Sequence, residues 1–156
     1  PMPISEGTRE DATKLVQRYP VSRSALLPLL HLVQSDEGYV SEDGIAFCAE
    51  KLSLTKAEVG AVATFYTMYN LAPVGKYLIQ VCTNISCNLC GGDKVLDAFL
   101  EHTGTDMGMV SENGLWTVIE VECLGACGFP TVVQINERYF ENVRPEDVPA
   151  ILAGLQ

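Results

Sequence analysis

Leu26, Leu27, Leu29, Leu30 and Val33 recur at the spacing of one helix face, and Ser22 before them is a residue type that caps helix starts. The pattern predicts a helix from Ser22 to about Asp36. Pro28 falls near its first turn, where a missing N–H costs little, and Gly38 ends it. Ser41 opens a second helix with Ile45, Cys48, Ala49 and Leu52 on one face. Thr55 followed three residues later by Glu58 is a capping box, and it starts a third helix through Val59, Val62, Ala63 and Tyr66. A weaker amphipathic pattern covers residues 8–19. Residues 1–74 are therefore expected to form an N-terminal helical domain.

At Pro73-Val74-Gly75 the period changes from helical to alternating. "KYLIQVCT" (Lys76 to Thr83) reads as a strand running into cysteines, followed by a helix from about Asp93 to His102. "LWTVIEVE" (Leu115 to Glu122) is a second strand of the same kind and also runs into cysteines. "TVVQIN" and "RYFEN", parted near Asn136-Glu137, read as a hairpin, and Pro145 starts a last helix from Glu146 to Leu155. The order β-α-β-β-β-α predicts a small mixed sheet flanked by helices over residues 75–156.

Charge narrows the partners. Across 156 residues, ten basic and twenty acidic side chains give a net charge of -10. That balance argues against nucleic acid or an anionic membrane as ligand. The apolar run Ala25 to Val33 is about half of the ~20 residues a bilayer crossing needs, so no direct membrane insertion is expected. The Pro1-Met2-Pro3 start lacks the features of an export signal, and the expected location is cytoplasmic. In a reducing compartment, six cysteines read as metal ligands or buried thiols before disulfides.

Five of the six lie in two clusters, Cys82-x4-Cys87-x2-Cys90 and Cys123-x3-Cys127, each directly after a predicted strand. If those strands are parallel neighbours, both loops reach the same end of the sheet. Two loop-borne pairs of thiolates suffice for a [2Fe-2S] cluster, whose irons each take two protein ligands. Gly91, Gly92, Gly125 and Gly128 would allow close backbone approach, with N–H groups turned towards sulfur. Four thiolates from Cys87, Cys90, Cys123 and Cys127 could instead make a structural zinc site, which leaves Cys82 idle. A thiol redox pair at Cys87-x2-Cys90 leaves Cys123 and Cys127 idle. A Rieske centre needs two histidines, whereas His31 lies far from the cysteines and His102 trails a helix, so all-thiolate ligation remains, with a potential on the order of ~−400 mV.

The cysteine spacing, the run "ECLGAC" (Glu122 to Cys127), "VQIN" (Val133 to Asn136) and "ATFYTMY" (Ala63 to Tyr69) together resemble the flavoprotein 2 family of respiratory complex I, the NADH-quinone oxidoreductase of bacteria. Relatives of that family occur in NAD-linked hydrogenases and formate dehydrogenases. The resemblance spans about residues 10 to 155. It implies an α+β (α/β) chain, an N-terminal helical bundle followed by a thioredoxin-like [2Fe-2S] ferredoxin domain. The implied ligands of one cluster per chain are Cys82, Cys87, Cys123 and Cys127, with Cys90 a bystander where relatives commonly lack cysteine. The implied partner is a subunit of the same complex that binds FMN and oxidises NADH, in the peripheral arm of a membrane-bound assembly. "CGFP" (Cys127 to Pro130) looks about one residue shorter than the usual loop, and Pro130 resembles the cis-proline of thioredoxin-like folds.

The other features read plainly. Cys48 is expected in a helix core, Trp116 in packing, and Phe65, Tyr66 and Tyr69 either in the core or against a partner. No strand runs into G-x-G-x-x-G, since the glycines of "GTDMGMVSENG" follow a helix, so NADH and flavin are expected to bind elsewhere. The expected role is an electron-transfer subunit with no catalytic residue of its own. An equivalent subunit of a hydrogenase or formate dehydrogenase, or a zinc-braced assembly module, are the other readings.

Overall fold

The structure is a computed structural model and describes residues 4–155. The Pro1-Met2-Pro3 start lies outside the described residues. The chain divides into two compact units, one ending at Pro73 and the other beginning at Val74.

In the first unit, α1 spans Glu6–Val16, α2 Leu26–Glu37, α3 Glu42–Leu52 and α4 Lys56–Phe65. Most starts have a visible cause. The Ser5 hydroxyl accepts the Thr8 N–H, and the Ser41 hydroxyl accepts that of Gly44. Thr55 and Glu58 close the capping box reciprocally. Ser22 does not cap α2: it begins a 3-10 turn, Ser22–Ala25, that leads into the helix ahead of Pro28. The proline still sits in the first turn, where α2 has no N–H partner to lose. Gly38 ends α2 at φ 82, a left-handed conformation that glycine adopts without a Cβ clash. Leu29, Leu30, Val33, Cys48 and Val59 are fully buried and lie in one core with residues of all four helices. Of the aromatic trio only Tyr69 enters it, its hydroxyl donating to the Leu27 carbonyl at 2.9 Å; Phe65 is 77% exposed.

In the second unit, β1 is Tyr77–Cys82, α5 Ile85–Leu89, α6 Gly92–Thr103, β2 Trp116–Val121, β3 Val133–Ile135, β4 Arg138–Phe140 and α7 Val148–Ala153, with a 3-10 turn Pro145–Asp147 before α7. The sheet order is β2-β1-β3-β4. β1 and β2 are parallel, with Cys82 opposite Val121, and the other two pairings are antiparallel. Asn136 turns the hairpin at φ 52, and its side chain clips the turn to β1, accepting from the Leu78 N–H and donating to the Lys76 carbonyl. Val95 and Phe99 of α6 pack on Ile79, Val118 and Val133 of the sheet, and Trp116 stacks on Tyr77. Apolar burial of this kind contributes ~1.5–3 kcal/mol for each large side chain. A cis peptide bond joins Pro130 to Thr131.

Candidate metal centre

The parallel register of β1 and β2 ends both strands at the same edge of the sheet, and the two cysteine loops leave from that edge. Cys82 is the last residue of β1. Its N–H donates to the Val132 carbonyl, and its thiol lies 3.9 Å from the Glu122 carbonyl at the head of the second loop. Cys87 projects from α5, a five-residue helix inside what reads in sequence as a loop; the Asn84 side chain accepts the Ile85 N–H and starts it. That cap residue just ahead of an apolar one is the signal that could have revealed the helix. Cys82 and Cys87 are both buried, and with Val132 they form a small apolar cluster against Val121, Leu124 and Ala126.

Cys123 and Cys127 are exposed. Gly125, at φ 76, folds the loop between them so that its N–H points at the Cys123 sulfur, 3.3 Å away. The Tyr139 hydroxyl holds the same loop from β4 by donating to the Leu124 carbonyl at 3.1 Å, a contact no sequence motif announces. Gly92 makes the close approach expected of it: a Cβ there would stand 2.9 Å from the Cys82 carbonyl oxygen and 3.0 Å from that of Cys87. Gly128 differs from expectation, since its Cβ would meet nothing within 4 Å and its φ is not positive.

Burial, then a hydrogen bond with Cys82 and the nearby Cys82 and Cys127 sulfurs, push the Cys87 thiol up to about 11, against the lowering effect of the Val132 N–H. The Cys127 thiol is raised first by its hydrogen bond with Cys123, then by the charge of Cys123, and more weakly by Cys82. Among the described residues, no group of three His, Cys, Asp or Glu side chains is placed to hold one metal ion. Cys90, the C-cap of α5, is exposed. Cys48 lies in the helical unit, fully buried, with its thiol pushed up to about 12 by burial and then by the Glu37 charge. His31 packs against Tyr69 with the rings tilted by 59°, and His102 lies in the last turn of α6, both outside the cysteine loops.

Two parallel strands that each end in a cysteine loop, in a mixed sheet flanked by helices, make this an α/β protein. The profile of the thioredoxin-like [2Fe-2S] ferredoxin family matches residues 12–156, and the chain belongs to that family. It is 45% identical over 146 residues to an NADH-quinone oxidoreductase subunit of Mycobacterium tuberculosis, a match covering 94% of this chain and 58% of the mycobacterial one. The chain thus spans less than two thirds of the mycobacterial relatives it matches. It is 41% identical to NADH-quinone oxidoreductase subunit 2 of Thermus thermophilus, over 89% of this chain and 78% of that one. An NAD+-reducing [NiFe]-hydrogenase shares the fold at a TM-score of 0.73 and 20% identity, over 84% of this chain and 22% of the hydrogenase chain.

Proposed function

We propose that this chain is the electron-transfer subunit of an NADH-quinone oxidoreductase, that Cys82, Cys87, Cys123 and Cys127 hold one [2Fe-2S] cluster, and that the cluster exchanges electrons with FMN in a partner subunit that binds NADH. The observation that supports this reading is that parallel β1 and β2 end side by side and each runs into a cysteine loop, the Cys82 thiol lying 3.9 Å from the Glu122 carbonyl of the other loop. When bound, such a cluster supplies a one-electron carrier of low potential.

The chain's own residues do the rest. Cys82 and Cys87, sealed by Val132, Leu124 and Ala126, would keep water from one side of the site. The Gly125 and Val132 N–H groups direct partial positive charge at sulfur and favour the thiolate needed for ligation. Cys123 and Cys127, on the exposed side, leave a face open to a redox partner. No helix of the described residues is long and apolar enough to cross a membrane. The proposed setting is the cytoplasmic peripheral arm of the complex, attached through other subunits. Relatives at 41–45% identity named for the quinone oxidoreductase support that host over a hydrogenase, whose likeness at 20% identity is one of fold.

The test is metal and sulfide analysis of the purified chain with spectroscopy. About two irons and two sulfides per chain, visible absorption and a paramagnetic signal on reduction are expected. Cys127→Ser and Cys82→Ser should each abolish or change that signal, while Cys90→Ser leaves it intact. A colourless protein carrying zinc would overturn the proposal.

A further inference from the structure

Two side-chain oxygens are buried without a hydrogen-bond partner among the described residues: Glu37 Oε1 in the helical unit and Thr131 Oγ1 in the second unit. Thr131 is 1% exposed, so water does not reach its hydroxyl from the surface. Its backbone carbonyl is already engaged, accepting the Val143 N–H at 3.0 Å. A buried hydroxyl left unpaired is destabilising, and the large majority of such groups in folded proteins have a partner. The Thr131 hydroxyl therefore calls for an acceptor that the described residues do not supply.

The place of Thr131 in the chain says which acceptor is at hand. The next residue, Val132, touches the sulfur site through its backbone and its side chain alike. Its N–H faces the Cys87 sulfur, its carbonyl accepts the Cys82 N–H at 3.1 Å, and its side chain shares one small cluster with Cys82 and Cys87. The Thr131 hydroxyl is only a few covalent bonds from that N–H. On its other side the chain leads back to Cys127 through a turn in which the Phe129 N–H donates to the Ala126 carbonyl at 3.0 Å. Thr131 is thus the buried hydroxyl on the segment that links the second cysteine loop to the Cys82 and Cys87 pair. The side chains of that cluster, Val121, Leu124, Ala126 and Val132 with the two cysteines, carry no polar atom except sulfur.

We infer that the Thr131 hydroxyl donates a hydrogen bond to a sulfur on the Cys87 side of the [2Fe-2S] cluster and thereby raises the cluster's reduction potential. The inference rests on the proposed function for the presence of the cluster. The physical ground is charge: the hydroxyl proton turns to suit its acceptor, and the sulfurs become more negative when the cluster takes up an electron. A donor that strengthens as that charge grows stabilises the reduced form over the oxidised one. Thr131 is a positioning and tuning residue here, with no part in ligation.

The experiment compares the purified, cluster-loaded parent with Thr131→Val, which removes the hydroxyl, and Thr131→Ser, which keeps it. Potentiometric titration followed by visible absorbance gives the potential, and pulsed electron-nuclear double resonance of the reduced cluster, before and after exchange into heavy water, counts the exchangeable protons beside it. Thr131→Val should retain two irons and two sulfides per chain and disfavour reduction on the order of tenfold, which is about 59 mV for a one-electron couple. It should also lose one exchangeable proton coupling, and Thr131→Ser should restore both readouts. A role in packing alone would move the melting temperature and leave the potential and the coupling where they were. A Thr131→Val potential equal to that of the parent overturns the inference, as does a Thr131→Ser potential shifted as far as that of Thr131→Val. A crystal structure of the loaded parent decides the matter even if Thr131→Val fails to fold. Thr131 Oγ1 within hydrogen-bond reach of a sulfur supports the inference, and Oγ1 bound to an ordered water or a carbonyl overturns it while leaving the electron-transfer reading intact. A parent chain that carries zinc or takes up no iron overturns the proposed function and this inference with it.

Discussion

Gly92→Ala is a one-methyl test of how the cysteine loop is built. Gly92 is the first residue of α6 and is buried. The added Cβ would sit 2.9 Å from the Cys82 carbonyl oxygen, 3.0 Å from the Cys87 carbonyl oxygen and 3.1 Å from the Cys87 carbonyl carbon. All three are backbone atoms, held by the end of β1 and by α5, so no side chain can swing aside. Relief requires α6 to back away from the loop that carries two of the proposed ligands. Overpacking of this sort costs ~1–3 kcal/mol. Alanine's better helix propensity offsets at most ~1 kcal/mol. A net loss of ~1–2 kcal/mol is expected, which in a unit of this size lowers the melting temperature by roughly 4–8 °C per kcal/mol. Thermal unfolding of the cluster-loaded chain, followed by circular dichroism and visible absorbance together, should show the colour lost at or below the temperature at which the helices melt. Gly128→Ala is the control, since its Cβ meets nothing within 4 Å. Its melting temperature should match or slightly exceed that of the parent. If Gly92→Ala melts where Gly128→Ala does and keeps its iron, the close-approach argument is wrong.

Gly60→Ala, inside α4 with open space at the Cβ, should raise stability by ~0.5–1 kcal/mol in chemical denaturation. Ser41→Ala removes the α3 cap and the hydroxyl that donates to the Glu37 Oε2, whose Oε1 is already buried without a partner; a loss of ~1–2 kcal/mol by the same measurement is expected. The Thr55 N–H first, then the Thr55 hydroxyl and Arg23, hold the Glu58 carboxyl at about 2, below its ordinary 4.5. The unfolded chain therefore binds the extra proton first, and the stabilisation is complete above about pH 4.5 and lost as pH falls towards 2. Glu58→Gln should flatten the melting-temperature profile across that window. In the native apoprotein near pH ~8, Cys48 should stay unreactive to a thiol reagent until the chain unfolds, whereas exposed Cys90 reacts at once; early labelling of Cys48 in peptide mass spectrometry would contradict its burial.

The local sequence alone determined most of the elements. The Thr55–Glu58 box, the Ser41 cap and the Gly38 stop each draw on chemistry within a few residues, so short-range interactions specify them. Where pattern and structure part, the reasons are physical. Ser22 has the composition of a cap, but the chain enters α2 through a 3-10 turn and the cap bond is never made. α5 hides in the sequence as a loop because five residues carry too little period to register, although Asn84 marks its start. Phe65 and Tyr69 look alike in sequence, and only packing against α2 decided that Tyr69 is buried while Phe65 faces solvent. The spacing of the five clustered cysteines announced a sulfur site and left its membership open. Only the parallel register of β1 and β2 joins loops some forty positions apart, setting the Cys82 thiol 3.9 Å from the Glu122 carbonyl, because which side chains meet depends on where two strands end in space.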